Sequence, residues 1–554
     1  MSYTVAMHIL SAAEMQACDR LTTERYGVPS LELMRAASAA VAAFAREQFP
    51  RARRVTVVCG RGNNGGDGMM AARLLAASGL EVTTLLLGVP EHLGPDVVKA
   101  WGELLKSAMP HTVHVVEKAE QLAAHAGALQ ADLLVDAVVG TGFKPPLKGL
   151  ALAALEWVKA SKAPILAVDL PSGWPADETA ALVAGPVFPA DAVITFTAPK
   201  PAHVFGRLTR HWSQPIVVVP IGSPDEAMVS ELKLHWAGSA LELVQTPRAA
   251  TANKGNFGHV LVVGGTMGTA GGKTGAPAMA ALGALRAGAG LVTAAVPAPA
   301  LPLVAAIAPE LMTWPLAVSP AGCIAAENLA PPTLEALMAG KTVLAIGPGM
   351  GQSEETVKFT CGLLSATKIP AVIDADALNI LAAKPVLLAK LAKGRTLVLT
   401  PHPGEMARLA GITVAEVQAN RLEVARSFAQ RTGVTLVLKG WRTLIAHPDG
   451  RVAVNTSGNP GMAKGGSGDL LTGLIAGLLA QYADDPARTV EAAVYLHGLA
   501  ADLAVRSDDE HTLLATDSLP HLAQAFRFDS RGPTGYLWLQ GLPAEAASQQ
   551  EATK

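Results

Sequence analysis

The stretch Asn459-Pro-Gly-Met-Ala-Lys-Gly-Gly-Ser-Gly-Asp469, running straight into Leu470-Leu-Thr-Gly-Leu-Ile-Ala-Gly-Leu-Leu479, decides how the second half of this chain is read. Its glycines and serine deliver a loop onto an apolar segment with helical spacing. Backbone N–H groups at such a junction point at an anion, and the helix dipole favours negative charge there. Asp469 then stands at the mouth of an anion site, where a carboxylate repels phosphate unless it takes a proton from a substrate hydroxyl. The pattern points to chemistry at a phosphoryl group. A plain glycine cap before a core helix does not require Gly-Gly-Ser-Gly-Asp.

Outward from this stretch, apolar strand-like runs alternate with helical ones. They lie at 55–59, 82–87, 133–135, 165–168, 193–196 and 216–219 in the first half, and at 260–263, 343–346, 371–373, 396–399 and 435–438 in the second. Such alternation predicts two doubly wound α/β sheets. The pattern weakens between Ser223 and Arg248, so the expected domains are 1–240 and 241–528. The tail 529–554 carries Gly, Pro, Ser and Gln without periodicity and is expected to be disordered.

Hydrophobic residues make up 50% of the 554 and charged residues only 16%, which suits buried parallel strands under helices. Lys plus Arg number 44 against 46 for Asp plus Glu, so no field favours nucleic acid or an anionic membrane. The four cysteines form no CxxC or zinc pattern and are expected to be reduced, mostly buried thiols. The N-terminus lacks a basic region followed by an apolar core, and the greasiest region, 275–308, is broken by Arg286 and prolines. A cytoplasmic protein without a membrane span is expected.

The first half has its own glycine-rich run, Cys59-Gly-Arg-Gly-Asn-Asn-Gly-Gly-Asp-Gly68, read as a loop before a helix starting at Met69. It formally matches GxGxxG, but the next strand ends in Gly88-Val89-Pro90 without the acidic residue that would hold a ribose, which disfavours a hydride-transfer site. Asn63, Asn64, Gly65, Gly66 and Asp67 better suit amide contacts, backbone donors and a cation. Two further strand ends carry Asp136 before Gly140-Thr-Gly142, and Asp169 before Pro171-Ser-Gly173. Ligands in open α/β sheets lie beyond the carboxyl ends of the strands, where Asn64, Asp136, Asp169 and Ser172 would converge. A lone strand-end Asp serves equally well as a helix N-cap. In the second half, Gly347-Pro-Gly-Met-Gly351 is read as a flexible loop, Asp374-Ala-Asp376 as a strand end opening a helix, and Pro401-His402-Pro-Gly-Glu405 and Lys439-Gly-Trp-Arg-Thr443 as loops after strands. Lys439 is placed for a phosphate.

Gly62-Asn-Asn-Gly-Gly-Asp-Gly68, Asp136 with Gly140-Thr-Gly142, and Val168-Asp-Leu-Pro-Ser-Gly173 resemble the NAD(P)H-hydrate epimerase family. Gly347–Gly351, Pro401–Glu405 and Asn459–Asp469 resemble the ADP-dependent NAD(P)H-hydrate dehydratase family, whose fold is ribokinase-like. Both in one chain resemble the bacterial bifunctional NAD(P)H-hydrate repair enzymes. The resemblance implies a Rossmann-like epimerase domain that interconverts R and S hydrates of NADH and NADPH. It also implies a dehydratase domain that restores the cofactor from the S form, converting ADP to AMP and phosphate. Implied substrate contacts in the epimerase are Asn63–Asp67, Gly140, Thr141, Gly142, Phe143, Lys144, Pro145, Pro146 and Asp169, with potassium on Asn64, Asp136 and Ser172. In the dehydratase they are Ala276, Gly349, His402 and Asp469, with Lys439, Gly440, Trp441, Arg442, Thr443 and Gly468 on the nucleotide. Asp169 is the implied acid/base of the first domain and Asp469 the base of the second. Magnesium accompanies the nucleotide, with Glu405 or Asp376 as candidate holders, and a homo-oligomer is expected.

Three positions and one loop depart from the family pattern. Arg35 and Ser38 stand where Glu and Gly are usual, Lys464 where many dehydratases have Thr, and the loop 266–274 lacks a common tyrosine. Lys464 beside the anion site is expected to strengthen phosphate binding. Two rival readings are a ribokinase-like kinase of a small alcohol, and a binding module built on an inactive epimerase fold. His402-Pro-Gly-Glu405 in place of Asn-x-x-Glu argues against the first, and the joint presence of Asn64, Asp136, Asp169 and Ser172 against the second.

Overall fold

The computed structural model describes residues 7–268, 271–532 and 534–543. The chain forms two compact units: 7–232 together with 530–543, and 233–529. The boundary therefore falls at 232/233 rather than near 240, because Leu234–Trp236 pairs in parallel with Val452–Val454 of the second unit.

The first unit is built on one sheet ordered Leu537–Gln540, Ile216–Val219, Ala192–Phe196, Ile165–Val168, Leu133–Ala137, Arg54–Cys59, Glu81–Leu87, His111–Val116. All neighbours are parallel except the first pair. Side chains alternate between two buried faces. Val55, Val57, Cys59, Leu133, Val135, Leu166 and Val168 pack with the helices Ser30–Gln48, Asn63–Ala77 and Pro95–Leu105. Val58, Leu134 and Ile165 face the opposite way, toward Gly149–Val158. Both faces are apolar, as a parallel sheet covered on two sides requires. The chain first winds from Arg54–Cys59 out to His111–Val116, then returns to Leu133–Ala137 on the other side of its starting strand. That reversal opens a crevice between those two strands.

Leu537–Gln540 corrects the expectation of a disordered tail. It adds antiparallel to Ile216–Val219, and Tyr536 and Trp538 set their rings edge-on against Phe44. A short aromatic strand carries too few residues to stand out against its polar flanks. The rest of that expectation, 544–554, lies outside the described residues.

In the second unit the sheet runs Leu234–Trp236, Val452–Val454, Leu444–Ala446, Thr435–Leu438, Leu397–Leu399, Ala371–Ile373, Val343–Ile346, His259–Val263, Leu291–Pro297, Met312–Leu316. The strands from Thr435–Leu438 to Met312–Leu316 are parallel, and the winding reverses between His259–Val263 and Val343–Ile346. The quoted apolar run is the helix Ser467–Leu479, buried from Leu470 onward. It presses on Gly275–Arg286 so closely that a Cβ on Gly473 would lie 1.9 Å from the Ala280 carbonyl oxygen. Among the described residues no helix is long and apolar enough to cross a membrane. All four cysteines are free thiols, two of them buried.

Candidate functional site

In the first unit, Asn63–Asp67 is the opening turn of the helix Asn63–Ala77 rather than a loop. Glycine makes this possible: a Cβ on Gly65 would meet the Gly60 carbonyl oxygen at 1.9 Å. The helix thus starts hard against the strand end, and its first turn faces the crevice. A cleft of about 1200 Å³ opens there, lined by Asn63, Asn64, Asp67, Gly140, Thr141, Gly142, Phe143 and Asp169. Gly65 and Gly66 are buried beneath it. Lys144, Pro145 and Pro146 are solvent-exposed and follow directly on the lining residue Phe143.

Asp169 sits at φ 65°, a left-handed backbone that is strained for a non-glycine residue. Its Oδ2 accepts from the Thr141 N–H at 2.7 Å and from the Thr141 hydroxyl; Oδ1 accepts from the Thr195 hydroxyl at 2.9 Å and the Lys200 ammonium at 3.0 Å. Burial opposes a charge here, but Lys200, His203 and the Thr141 hydrogen bond together outweigh it and hold the carboxyl well below the usual range. Asp169 is therefore a fixed carboxylate, suited to accepting a proton or balancing a cation but not to donating a proton. Neighbouring carboxyls go the other way. Burial, reinforced by Asp169, raises Asp67 well above its ordinary value, and burial lifts Asp19 to about 6.

Asp136 and Ser172 form a buried pair: the Ser172 N–H and hydroxyl donate to its two carboxylate oxygens at 2.8 and 2.6 Å. Burial raises Asp136 to about 6. The Asn64 side-chain oxygen and nitrogen are buried without a hydrogen-bond partner. A Cβ on Gly140 would lie 3.2 Å from Asn64 Oδ1 and 2.8 Å from Asp169 Oδ2, so the bare Gly140 backbone is the floor joining them.

In the second unit, the glycine-rich run delivers a loop onto the start of the helix Ser467–Leu479. Gly466 takes φ 98°, and Asp469 falls in the first turn of Ser467–Leu479. The Gly468 backbone faces Lys439, whose Nζ would lie 3.2 Å from a Cβ built there. Lys439 pairs with Asp374 at 2.9 Å; Asp374 also accepts from the hydroxyls of Thr400 at 2.8 Å and Thr472 at 2.9 Å. Burial would discharge Lys439, but Asp374 raises its pKa instead. Burial lifts Asp469 to about 6, with Asp374 adding to the rise and Lys439 opposing it.

Gly349 takes φ 65°, and its would-be Cβ lies 3.3 Å from that of Ala276, which brings these two expected contacts together. Its loop is pinned rather than free, since Asp376 accepts from the Gly351 N–H at 2.9 Å and from Gln352 at 3.0 Å. His402 caps the helix Pro403–Ala410: its Nδ1 accepts from the Gly404 N–H at 3.0 Å, which leaves the proton on Nε2. Glu405 returns a hydrogen bond to the His402 N–H at 2.9 Å.

Other residues singled out in the sequence have protein partners of their own. The Arg442 guanidinium is buried and donates to the Thr456 carbonyl at 2.7 Å, and Thr443 donates to the Gly440 carbonyl, so both side chains shape the loop. Trp441 is 38% exposed with the Arg442 guanidinium over its ring, and Gly440 takes φ 131°. Lys464 donates to the His511 carbonyl at 2.7 Å instead of facing the anion site. Arg35 bridges Glu32 and Glu103, tying two helices together. Glu405 and Asp376 are committed to backbone partners, and among the described residues no group of three or more His, Cys, Asp or Glu side chains could hold a metal. Sequence reading missed Lys200, Thr195, Asp19 and Thr472, and passed over Asp374 as a strand end; a hydroxyl or lysine in an apolar context has no local signature.

Comparison with known proteins places these features. Residues 30–202 match the family model described as YjeF-related protein N-terminus, and 260–523 that described as NAD(P)H-hydrate dehydratase. The bifunctional NAD(P)H-hydrate repair enzyme of Moorella thermoacetica is 40% identical over 94% of this chain and 97% of its own. That of Escherichia coli is 35% identical over 91% of each. A Bacillus subtilis ADP/ATP-dependent NAD(P)H-hydrate dehydratase co-crystallised with ATP and Mg2+ is 34% identical, covers 52% of this chain and 96% of its own, and has a TM-score of 0.43. The chain belongs to the family of bifunctional NAD(P)H-hydrate repair enzymes.

Proposed function

We propose that the first unit epimerises the R and S hydrates of NADH and NADPH, and that the second dehydrates the S form with ADP. The observation that carries this reading is one chain with two crevices, each holding a buried strand-end aspartate paired to a lysine, Lys200 buried and Lys439 half-buried.

In the epimerase crevice the hydrated nicotinamide ring lies over Gly140, between Asn64 and Asp169. When the 6-hydroxyl leaves, the ring nitrogen takes up positive charge, and the Asp169 carboxylate stabilises that cation at close range. Water then adds to the opposite face and gives its proton to the departed hydroxide, so the epimers exchange with no net change of atoms. The unpartnered oxygen of Asn64, with Asp136 and Ser172, is an all-oxygen set that fits potassium. The ion would supply a fixed positive charge that orients the hydrate.

In the dehydratase crevice Asp469 takes the proton of the 6-hydroxyl as its oxygen attacks the terminal phosphoryl group of ADP, releasing AMP. The phosphate ester then eliminates: the ring nitrogen pushes, the C6–O bond breaks, a proton leaves C5, and the 5,6 double bond of the reduced cofactor forms. Lys439 and the N-terminus of Ser467–Leu479 offset the phosphate charge, while magnesium arrives with the nucleotide. His402 presents Nε2–H as a hydrogen-bond donor beside this site.

The test follows near-ultraviolet absorbance of reduced nicotinamide from mixed R and S NADH hydrate, with and without ADP and magnesium. Complete ADP-dependent recovery is expected. Asp169→Ala should stop recovery at the S fraction, after spontaneous epimerisation is subtracted, and Asp469→Ala should abolish it. A stable phosphorylated product without recovery would instead revive the small-alcohol kinase.

A further inference from the structure

We propose that Lys200 is a positioning residue of the epimerase: it acts through Asp169, holding that side chain as an oriented carboxylate, while His203 clamps the same residue from the backbone side. This rests on the assignment of Asp169 to the epimerase site.

Lys200 is only 2% exposed, yet it belongs to the wall of the cleft. Its ammonium has three protons and three partners, all at this site: Asp169 Oδ1 at 3.0 Å, Thr195 Oγ1 at 2.8 Å and the Phe196 carbonyl at 3.4 Å. No proton is left over for the substrate, so any effect of Lys200 passes through its partners. A buried ion pair is a poor device for stability, because desolvation offsets the attraction.

The backbone builds the second half of the clamp. Lys200 is extended, as a residue before proline must be, and Pro201 starts the short helix Pro201–Phe205. This turn directs the Lys200 N–H to His203 Nδ1 at 3.0 Å, so the imidazole proton resides on Nε2 and is donated to the Asp169 carbonyl at 2.7 Å. One four-residue turn thereby grips both the carboxylate and the carbonyl of a residue at φ 65°. Oδ1 is held by Lys200 and Thr195, while Oδ2, the oxygen beside Gly140, is held by Thr141.

Other titratable groups face the pair. Cys18 and Asp19 come from the helix Ala12–Glu24, Asp67 from Asn63–Ala77, and His203 from the turn itself. Burial keeps His203 neutral, near 4, and Asp19 and Asp67 resist ionising. Lys200 is the cation that keeps Asp169 charged among them.

The experiment is the pH profile of kcat/KM for R-to-S epimerisation in full-length Lys200→Met, Asp169→Asn and the double variant, corrected for the spontaneous rate. In wild type the limb set by Asp169 should lie below about pH 5, beneath any limb near 6 from Asp19 or Asp136. Lys200→Met should fall about tenfold per pH unit below a limb raised by at least two pH units, and recover toward alkaline pH. A wild-type profile in Lys200→Met, or an equal loss at every pH, refutes the proposal. The double variant removes the pair whole and decides the matter if Lys200→Met does not fold. Its residual rate should equal that of Asp169→Asn, and a further tenfold loss would show that Lys200 acts on substrate directly. If Asp169→Asn keeps full activity, the site assignment fails and the proposal with it. An inactive Asp169→Asn beside an unaltered Lys200→Met overturns the proposal alone.

Discussion

Replacing Asp469 by Asn should abolish dehydration and, at neutral pH, make the dehydratase unit more stable. Burial lifts this carboxyl from its ordinary 3.8 to about 6. Above pH 6 the folded state therefore carries a charge it resists, while the unfolded chain carries it freely. At roughly 1.4 kcal/mol per pH unit the difference is about 3 kcal/mol. The helix N-terminus, which favours the charge by about 0.3–1 kcal/mol or more, brings this to about 1–3 kcal/mol. Asn fills the same volume without the charge, so the transition midpoint should rise by about 2–6 °C at pH 7.5. The transition of this unit is recognised by its upward shift when ADP and magnesium are added. The gain should shrink as pH falls through 6 and vanish below about pH 3, where both states are protonated. The same ionisation governs activity: about nine-tenths of Asp469 is charged at pH 7 and about a tenth at pH 5, so kcat/KM for the S hydrate should drop about tenfold between them. A midpoint at pH 7.5 no higher than wild type, together with an activity limb below pH 5, would refute the assignment of a strained base.

Gly140→Ala puts a methyl 2.8 Å from Asp169 Oδ2 and 3.2 Å from Asn64, so epimerisation should fall at least about a hundredfold while dehydration of the S hydrate persists. Glu491 is buried between His235 and His447, which donate to it at 2.8 and 2.9 Å. Burial opposes its charge, but those hydrogen bonds hold its pKa well below the usual range. Glu491→Gln should therefore destabilise the second unit by about 2–4 kcal/mol at pH 7, with the difference fading as pH falls below about 4 toward the depressed native pKa, as urea unfolding at pH 7 and 3 would show. Ending the chain after Asp529 removes the buried Trp538 and Leu539 and exposes Ile216–Val219. This should lower the stability of the epimerase unit by on the order of 5 kcal/mol, read by thermal unfolding, and promote aggregation.

Much of this architecture was legible because parallel strands covered on both faces are continuous apolar runs. Val55–Cys59 and Ile165–Val168 declare themselves without any tertiary information. The anion site was legible for a similar reason: only glycine permits the φ of Gly466, so the backbone requirement is written in residue types. Strands such as His111–Val116 escaped notice because half-exposed His and Thr dilute the pattern. Asn63–Asp67 was misread because glycines that look like a loop are there to let a helix approach a strand. Charged partners from distant segments were invisible in principle. Lys200 and Asp169 are 31 residues apart, and Lys439 and Asp374 are 65 apart, so folding alone makes them pairs.

The returning strand Leu537–Gln540 has a consequence for how the chain is made. A ribosome releases 7–232 long before 530–543, so the epimerase sheet spends most of synthesis with the Ile216–Val219 edge bare. Its last strand reaches it only after the whole 233–529 unit has emerged. Domains that usually mature in order from the N-terminus are here nested, and the first to begin is the last to finish. Epimerase activity on stalled nascent chains should therefore appear no earlier than that of the unit translated after it.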